Sequence, residues 1–199
     1  IYDSLKKPLL IVTHNLLQAQ KLYDDLIQLV DGDEVFLYPA NELIAAEMSI
    51  ASPELKAQRI EALNYLSKNT GGIIIAPIAG VRKYLPPLEL WKSKQFTLTL
   101  GQDIELKKLS IQLVHMGYTR SEMVAAPGEF SIRGGILDIY PLTEADPIRV
   151  EFFDTEVDSI RTFSLEDQRS KEKLSSIFIG PATESPLAEE HFQLIAKKL

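Results

Sequence analysis

The 199-residue sequence has no cysteine, which excludes a disulfide framework, a thiolate zinc site and a cysteine nucleophile. Long apolar runs are missing as well. No stretch approaches the roughly 18 to 20 residues that span a bilayer, and no basic start leads into a signal-peptide core. Both absences predict a cytoplasmic protein. Basic clusters are also lacking: acidic residues outnumber basic ones by 28 to 21, a net charge of −7. No group of Lys and Arg is placed to displace counterions from phosphates, which argues against direct nucleic-acid binding. Neither GxxxxGK followed by Ser or Thr nor GxGxxG occurs. A phosphate loop follows a strand, so that backbone N–H groups surround the phosphates; the glycines of "NTGGIII" precede one and predict a turn.

What is present is enough to build a core. At 45% hydrophobic residues, a chain of this length can form one large domain or two small ones without covalent staples. It opens at Ile1 and stops in a helical pattern, "EEHFQLIAKKL", with no glycine or proline behind it, so more chain is expected on both sides. "PLLIVT" (8–13), "EVFLYP" (34–39) and "GGIIIAP" (71–77) have the apolar content of buried strands. Between them, residues 15–30 and 52–69 carry helical spacing, with Asn15 as N-cap of the first helix and Ser52 and Pro53 opening the second. This alternation predicts an α/β domain with a doubly wound, mostly parallel sheet.

The character changes at "YLPPLELW". "QFTLTL" reads as a strand and "DIELKKLSIQLVHMG" as an amphipathic helix ending at Gly117. The β segments 118–124, 129–133, 136–140, 148–154 and 156–164 then follow too closely for crossover helices, so antiparallel pairing is expected. "SSIFIGPA" adds a short strand. A smaller α+β domain with an antiparallel sheet is therefore predicted at 94–180, after an α/β domain at 1–93; residues 181–199 are expected to form a helix returning to the first domain.

Within residues 118–164, Arg120, Arg133, Arg149 and Arg161 face nine carboxylates, a local balance of −5. If Gly134 and Gly135 make a two-residue turn, Arg133 faces Ile136, Ile132 faces Leu137, Ser131 faces Asp138 and Phe130 faces Ile139. Phe130, Ile132, Leu137 and Ile139 then share an apolar face, and Arg133 points the other way. In "IRVEFFD" the same period puts Val150 and Phe152 on one face and Arg149, Glu151 and Phe153 on the other. Exposed arginine beside an exposed aromatic is enriched at interfaces, although a solvated strand face would show the same residues. The histidines offer less. His14 lies just past the first strand, where open α/β sheets place ligands, but no partner is tied to it and a hydrogen-bonded structural role is expected. His115 and His191 fall in helical patterns at ordinary half-exposed positions.

"GYTRSEMVAAPGEFSIRGGILDIYPLTEADPIRVEFFDTEVDSIRTFSLEDQRS" closely resembles the bacterial transcription-repair coupling factors, and "THNLLQAQKLYDDL", "YPANELIAAEMSIASPELKAQRIEAL" and "PPLELWKS" resemble that family in the same order. The resemblance implies the amino-terminal UvrB-like module of a much larger, ATP-dependent DNA translocase that removes stalled RNA polymerase and recruits nucleotide excision repair. UvrB itself is a less similar relative: "LYPANELIAAEMS" runs directly toward the "SPELKAQR" helix and leaves no room for a DNA-clamping hairpin, and Ser131 stands where UvrB-like proteins tend to carry another arginine. The resemblance further implies a helicase-like, P-loop-related first domain without working nucleotide motifs, and a second domain that docks UvrA. The family's contact positions fall on Arg133, Arg149 and Phe153, with Glu151 and Arg120 as weaker correspondences. Asp138 and Glu151 would fix the guanidinium orientations. No catalytic, cofactor or metal residue is implied in this segment; ATP and magnesium belong to the motor of the parent chain, as do RNA polymerase and double-stranded DNA as partners. A carboxyl-terminal domain of the parent would mask the UvrA face. The rival reading is a nucleotide-binding or DNA-remodelling helicase-type domain as in UvrB.

Overall fold

The computed structural model describes residue 2 and residues 7–30, 32–40, 52–68, 71–82 and 84–186. Two compact units form, Ile1–Leu85 and Pro86–Leu199, and the twin prolines begin the second. Of the helix expected at 181–199, residues 181–186 are described and are not helical, an irregular segment between Pro181 and Pro186; residues 187–199, with His191, and the segment 41–51 lie outside the described residues.

In the first unit, β1 (Leu9–Thr13), α1 (Leu16–Leu26), β2 (Val35–Leu37), α2 (Pro53–Lys68) and β3 (Ile73–Pro77) follow one another. The strands form a parallel sheet in the order β1-β3-β2. Val35, Leu37, Ile73 and Ile75 bury one face together with Ala19 of α1. On the other face Phe36 meets Tyr65 of α2, ring centroids 4.4 Å apart. Helices on both faces of a parallel sheet are what the strand–helix alternation predicts, and β2 and β3 are buried as their apolar runs suggest. β1 departs from expectation: it is an edge strand of the described sheet, and Leu9, Leu10 and Val12 are exposed. The side chain of Asn15 caps α1 by accepting from the N–H of Gln18. Ser52 caps differently from expectation: its carbonyl accepts from the N–H of Lys56, while its hydroxyl donates to Glu54.

The second unit begins with α3 (Leu88–Ser93), β4 (Phe96–Thr99) and α4 (Leu106–His115). Met116 caps α4, and Gly117 follows at φ +89°, a left-handed conformation that suits glycine. The rest is β5 (Thr119–Arg120), β6 (Glu129–Arg133), β7 (Ile136–Ile139), β8 (Ile148–Phe153), β9 (Glu156–Phe163), β10 (Ser170–Leu174) and β11 (Ser176–Ile179). A six-stranded sheet runs β10-β9-β8-β7-β6-β5, and β11 pairs separately with β4. Pairing from β6 to β10 is antiparallel. The segment 118–124 departs from expectation: only Thr119 and Arg120 pair, and they pair parallel to β6. Phe130, Leu137, Ile139, Ile148 and Val150 are fully buried on the apolar face. Each contributes roughly 1.5–3 kcal/mol of transfer free energy. Ile132 and Phe152, expected on the same face, are only half-buried. Among the described residues no helix is long and apolar enough to cross a membrane.

Candidate docking surface on the six-stranded sheet

The register of the β6–β7 hairpin is the one expected from the sequence: Phe130 opposite Ile139, Ser131 opposite Asp138, Ile132 opposite Leu137 and Arg133 opposite Ile136. The two turn glycines serve different needs. Gly134 takes φ +59° with open space around it, whereas a Cβ on Gly135 would come within 2.9 Å of the Phe152 carbonyl oxygen. That approach lets the Phe152 N–H donate to the Gly135 carbonyl at 2.8 Å, joining the turn to β8.

The β7–β8 register sets Asp138 opposite Arg149 and Ile136 opposite Glu151, so Arg133, Asp138, Arg149, Glu151 and Phe153 project from one face. Asp138 is 2% exposed. Its Oδ1 accepts from Arg149 Nε at 2.6 Å, and its Oδ2 accepts from an Arg149 terminal nitrogen at 2.8 Å and from an Arg133 terminal nitrogen at 3.1 Å. Arg149 also lies over the Phe163 ring, 4.5 Å from its centroid, and donates to Gln168 Oε1. Hydrogen bonding to Asp138 holds the Arg149 guanidinium above its usual range, against a smaller opposing effect of burial.

The two arginines therefore differ. The Arg133 side chain is 54% exposed, and that of Arg149 only 15%. Arg149 was expected to turn outward like Arg133; it lies on that face but is largely committed to Asp138, Phe163 and Gln168. Glu151 also departs from expectation. It orients neither Arg133 nor Arg149, but accepts from the Ser159 hydroxyl at 2.9 Å and pairs with Arg161. The Ser159 hydrogen bond, followed by Arg161, holds its carboxyl below the usual range.

Phe153 is 80% exposed at the end of β8. The turn beyond it places Asp154 at φ +57° and is tied down on its far side: the Thr155 hydroxyl donates to Asp103 at 3.0 Å, and the Thr155 carbonyl accepts from the Ile104 N–H at 2.8 Å. A β-bulge places Glu151 opposite Ser159 but Phe152 opposite Val157, leaving Asp158 as the extra residue of β9. Arg120 is exposed on β5 and shares with Glu122, Ile132 and Arg133 an open recess of about 480 Å³.

Sequence reading missed Phe163, Gln168 and the Ser159–Arg161 support of Glu151. Carrying the register one strand further would have found Arg161, which lies opposite Arg149.

In the first unit, short-range hydrogen bonds tie the residues that follow β1. Gln18 Oε1 accepts from the His14 N–H at 3.3 Å, and the Thr13 hydroxyl donates to the Asn15 carbonyl at 2.9 Å. The hydrogen bond expected of His14 thus lies on its backbone, and the residue is exposed. Arg59, 2% exposed, joins the ends of β2 and β3 by donating to the carbonyls of Pro39 and Gly80 and to the Tyr38 hydroxyl. Among the described residues no cluster of three or more His, Asp or Glu is arranged to hold a metal.

These features define an α/β unit followed by a sheet unit whose polar face presents a buttressed arginine pair and an exposed ring. The second unit matches the UvrB interaction domain over residues 96–184. The chain is 57% identical over 182 residues to the transcription-repair-coupling factor of Bacillus subtilis, covering 92% of this chain and 16% of that protein. It is 42% identical over 198 residues to that of Staphylococcus aureus, and 43% over 194 residues to that of Staphylococcus haemolyticus. The chain belongs to the transcription-repair-coupling factor family, and it spans about 16–17% of the length of these relatives.

Proposed function

We propose that this chain is the UvrA-docking module of a transcription-repair coupling factor and acts as a non-catalytic adaptor. The observation that carries this reading is the polar face of the six-stranded sheet, where Arg133 and Phe153 stand exposed and Asp138, itself held by Arg149, pairs with Arg133 from beneath. A planar guanidinium makes directional, charge-assisted hydrogen bonds to carboxylates, and an adjacent ring adds apolar area at small entropic cost. UvrA would supply acidic groups to Arg133 and the rim of Arg149, and an apolar contact to Phe153; Arg120 and Glu151 would border the footprint. In the parent protein, ATP-dependent displacement of RNA polymerase at lesions would reside in other domains, with ATP and magnesium bound there, and a carboxyl-terminal domain would cover this face until repair is called for.

The parallel sheet with helices on both faces favours a second reading, a helicase-type nucleotide or DNA-remodelling domain as in UvrB. Two local pairings weigh against it. The α1 amino terminus that would cradle phosphate is capped by Asn15, and Arg59 occupies the end of the β2–β3 crevice. Titration calorimetry of the chain with purified UvrA tests the docking role. Arg133→Ala and Phe153→Ala are each expected to weaken binding by about 2 kcal/mol or more. Unchanged affinity in folded variants would overturn it.

A further inference from the structure

Arg133 and Arg149 share one buried carboxylate, and the way they share it is unequal. Arg149 engages both oxygens of Asp138 through its planar fork, stacks on Phe163 and reaches Gln168. Most of its donors are therefore committed within the sheet. Arg133 gives Asp138 a single bond, to Oδ2, and keeps its remaining donors at a half-exposed surface. Asp138 lies on a central strand opposite Ser131, itself 1% exposed, where a low local dielectric strengthens charged hydrogen bonds.

We infer that Asp138 is a positioning residue of the docking face: its buried carboxylate locks Arg149 as a base plate and aims Arg133 at an acidic group of the partner. This rests on the docking role proposed above. Two guanidiniums around one carboxylate leave a single net positive charge, so the cluster is both oriented and incomplete until an anion arrives. Without Asp138 the arginines repel each other, and Arg133 loses its fixed direction.

Neutralising Asp138 sets two effects against each other. Asp138→Asn makes the face more positive by one charge, and long-range attraction alone would then strengthen binding to an acidic partner. Loss of aim weakens it. Positioning predicts that the second effect wins.

The test is a double-mutant cycle by calorimetry against purified UvrA, using the 199-residue chain with Asp138→Asn, Arg133→Ala and the pair, beside Phe153→Ala. Asp138→Asn is expected to weaken binding about tenfold in the wild-type background, a loss in the range of single interface contacts. In the Arg133→Ala background the effect should shrink to the part exerted through the rim of Arg149, because the arginine that Asp138 aims is gone. Equal or tighter binding by Asp138→Asn, or the same loss in both backgrounds, overturns the inference while Arg133→Ala and Phe153→Ala uphold docking. No effect of Arg133→Ala and Phe153→Ala overturns docking and the inference together. Should Asp138→Asn not fold, guanidinium NMR of the wild-type chain decides: distinct, slowly exchanging Arg133 Nη signals are expected, and a single averaged signal overturns the inference.

Discussion

Arg133 and Arg149 have the same side chain on the same sheet face, yet one is presented and the other is structural support. The difference lies in strand position: Arg149 sits directly across from Asp138, whereas Arg133 reaches it diagonally from the hairpin end. Glu151 allows a residue-scale prediction. Its carboxyl is held below the ordinary range by Ser159 and then Arg161, so the folded state binds its proton more weakly than the unfolded chain does. The stabilisation is present above the unfolded value of about 4.3 and fades as pH falls through the lowered folded value. Urea unfolding should therefore show Glu151→Gln less stable than wild type at neutral pH, with the gap closing in acid below about pH 4. A gap independent of pH would contradict this. At this scale the sequence made Arg133 and Phe153 legible, because period-two alternation alone turns them outward. The near-burial of Arg149 was not legible: it depends on Phe163 and Gln168, which come from β9 and the loop beyond it, and no local pattern ties them to β8.

The hairpins carry the element-scale lesson. The β6–β7 register could be read because a Gly-Gly turn and apolar alternation agree, and a slip of one residue would have reversed both faces. Their substitution should separate the two glycines. Gly134→Ala meets open space and is expected to cost about 1–2 kcal/mol for its left-handed backbone. Gly135→Ala drives a methyl against the Phe152 carbonyl and should cost about 2–3 kcal/mol, with backbone shifts reaching β8. Denaturant titration ranks the two, and an equal or reversed order would refute the close-approach account. One strand was expected too long and another escaped sequence reading, each for a physical reason. Only two residues of β5 pair, so its flanking apolar residues mimic a longer strand. β10, "SKEKL", is a mostly exposed edge strand whose charges discourage pairing with other chains and erase the alternation that would reveal it.

At the scale of the whole molecule, each unit follows from its own pattern: apolar runs spaced by helices give the parallel sheet, and closely spaced alternating segments give the antiparallel one. The fold class could be read from spacing, whereas the buried position of Arg59 across the ends of β2 and β3 could not, because its partners Pro39 and Gly80 lie about twenty residues away on either side. With Arg59 paired at the strand ends and the α1 amino terminus capped by Asn15, indifference to nucleotide is expected. In a thermal shift assay, ATP with magnesium should leave the melting temperature unchanged, whereas a ligand at 100 times its dissociation constant would add about 2.7 kcal/mol. A dose-dependent rise would revive the helicase-type reading.

The turn after Phe153 is tied by Thr155 to Asp103 and Ile104. A ring mounted this way has little motion left to lose when a partner covers it, so ordering at that position takes only a small share of the contact energy. Association would then run at the rate of oriented encounter rather than wait for a loop to form, and the lifetime of the complex, more than its rate of formation, would respond to changes at Phe153. Loosening the tether with Thr155→Val should have the opposite character, slowing capture while leaving the ring itself intact.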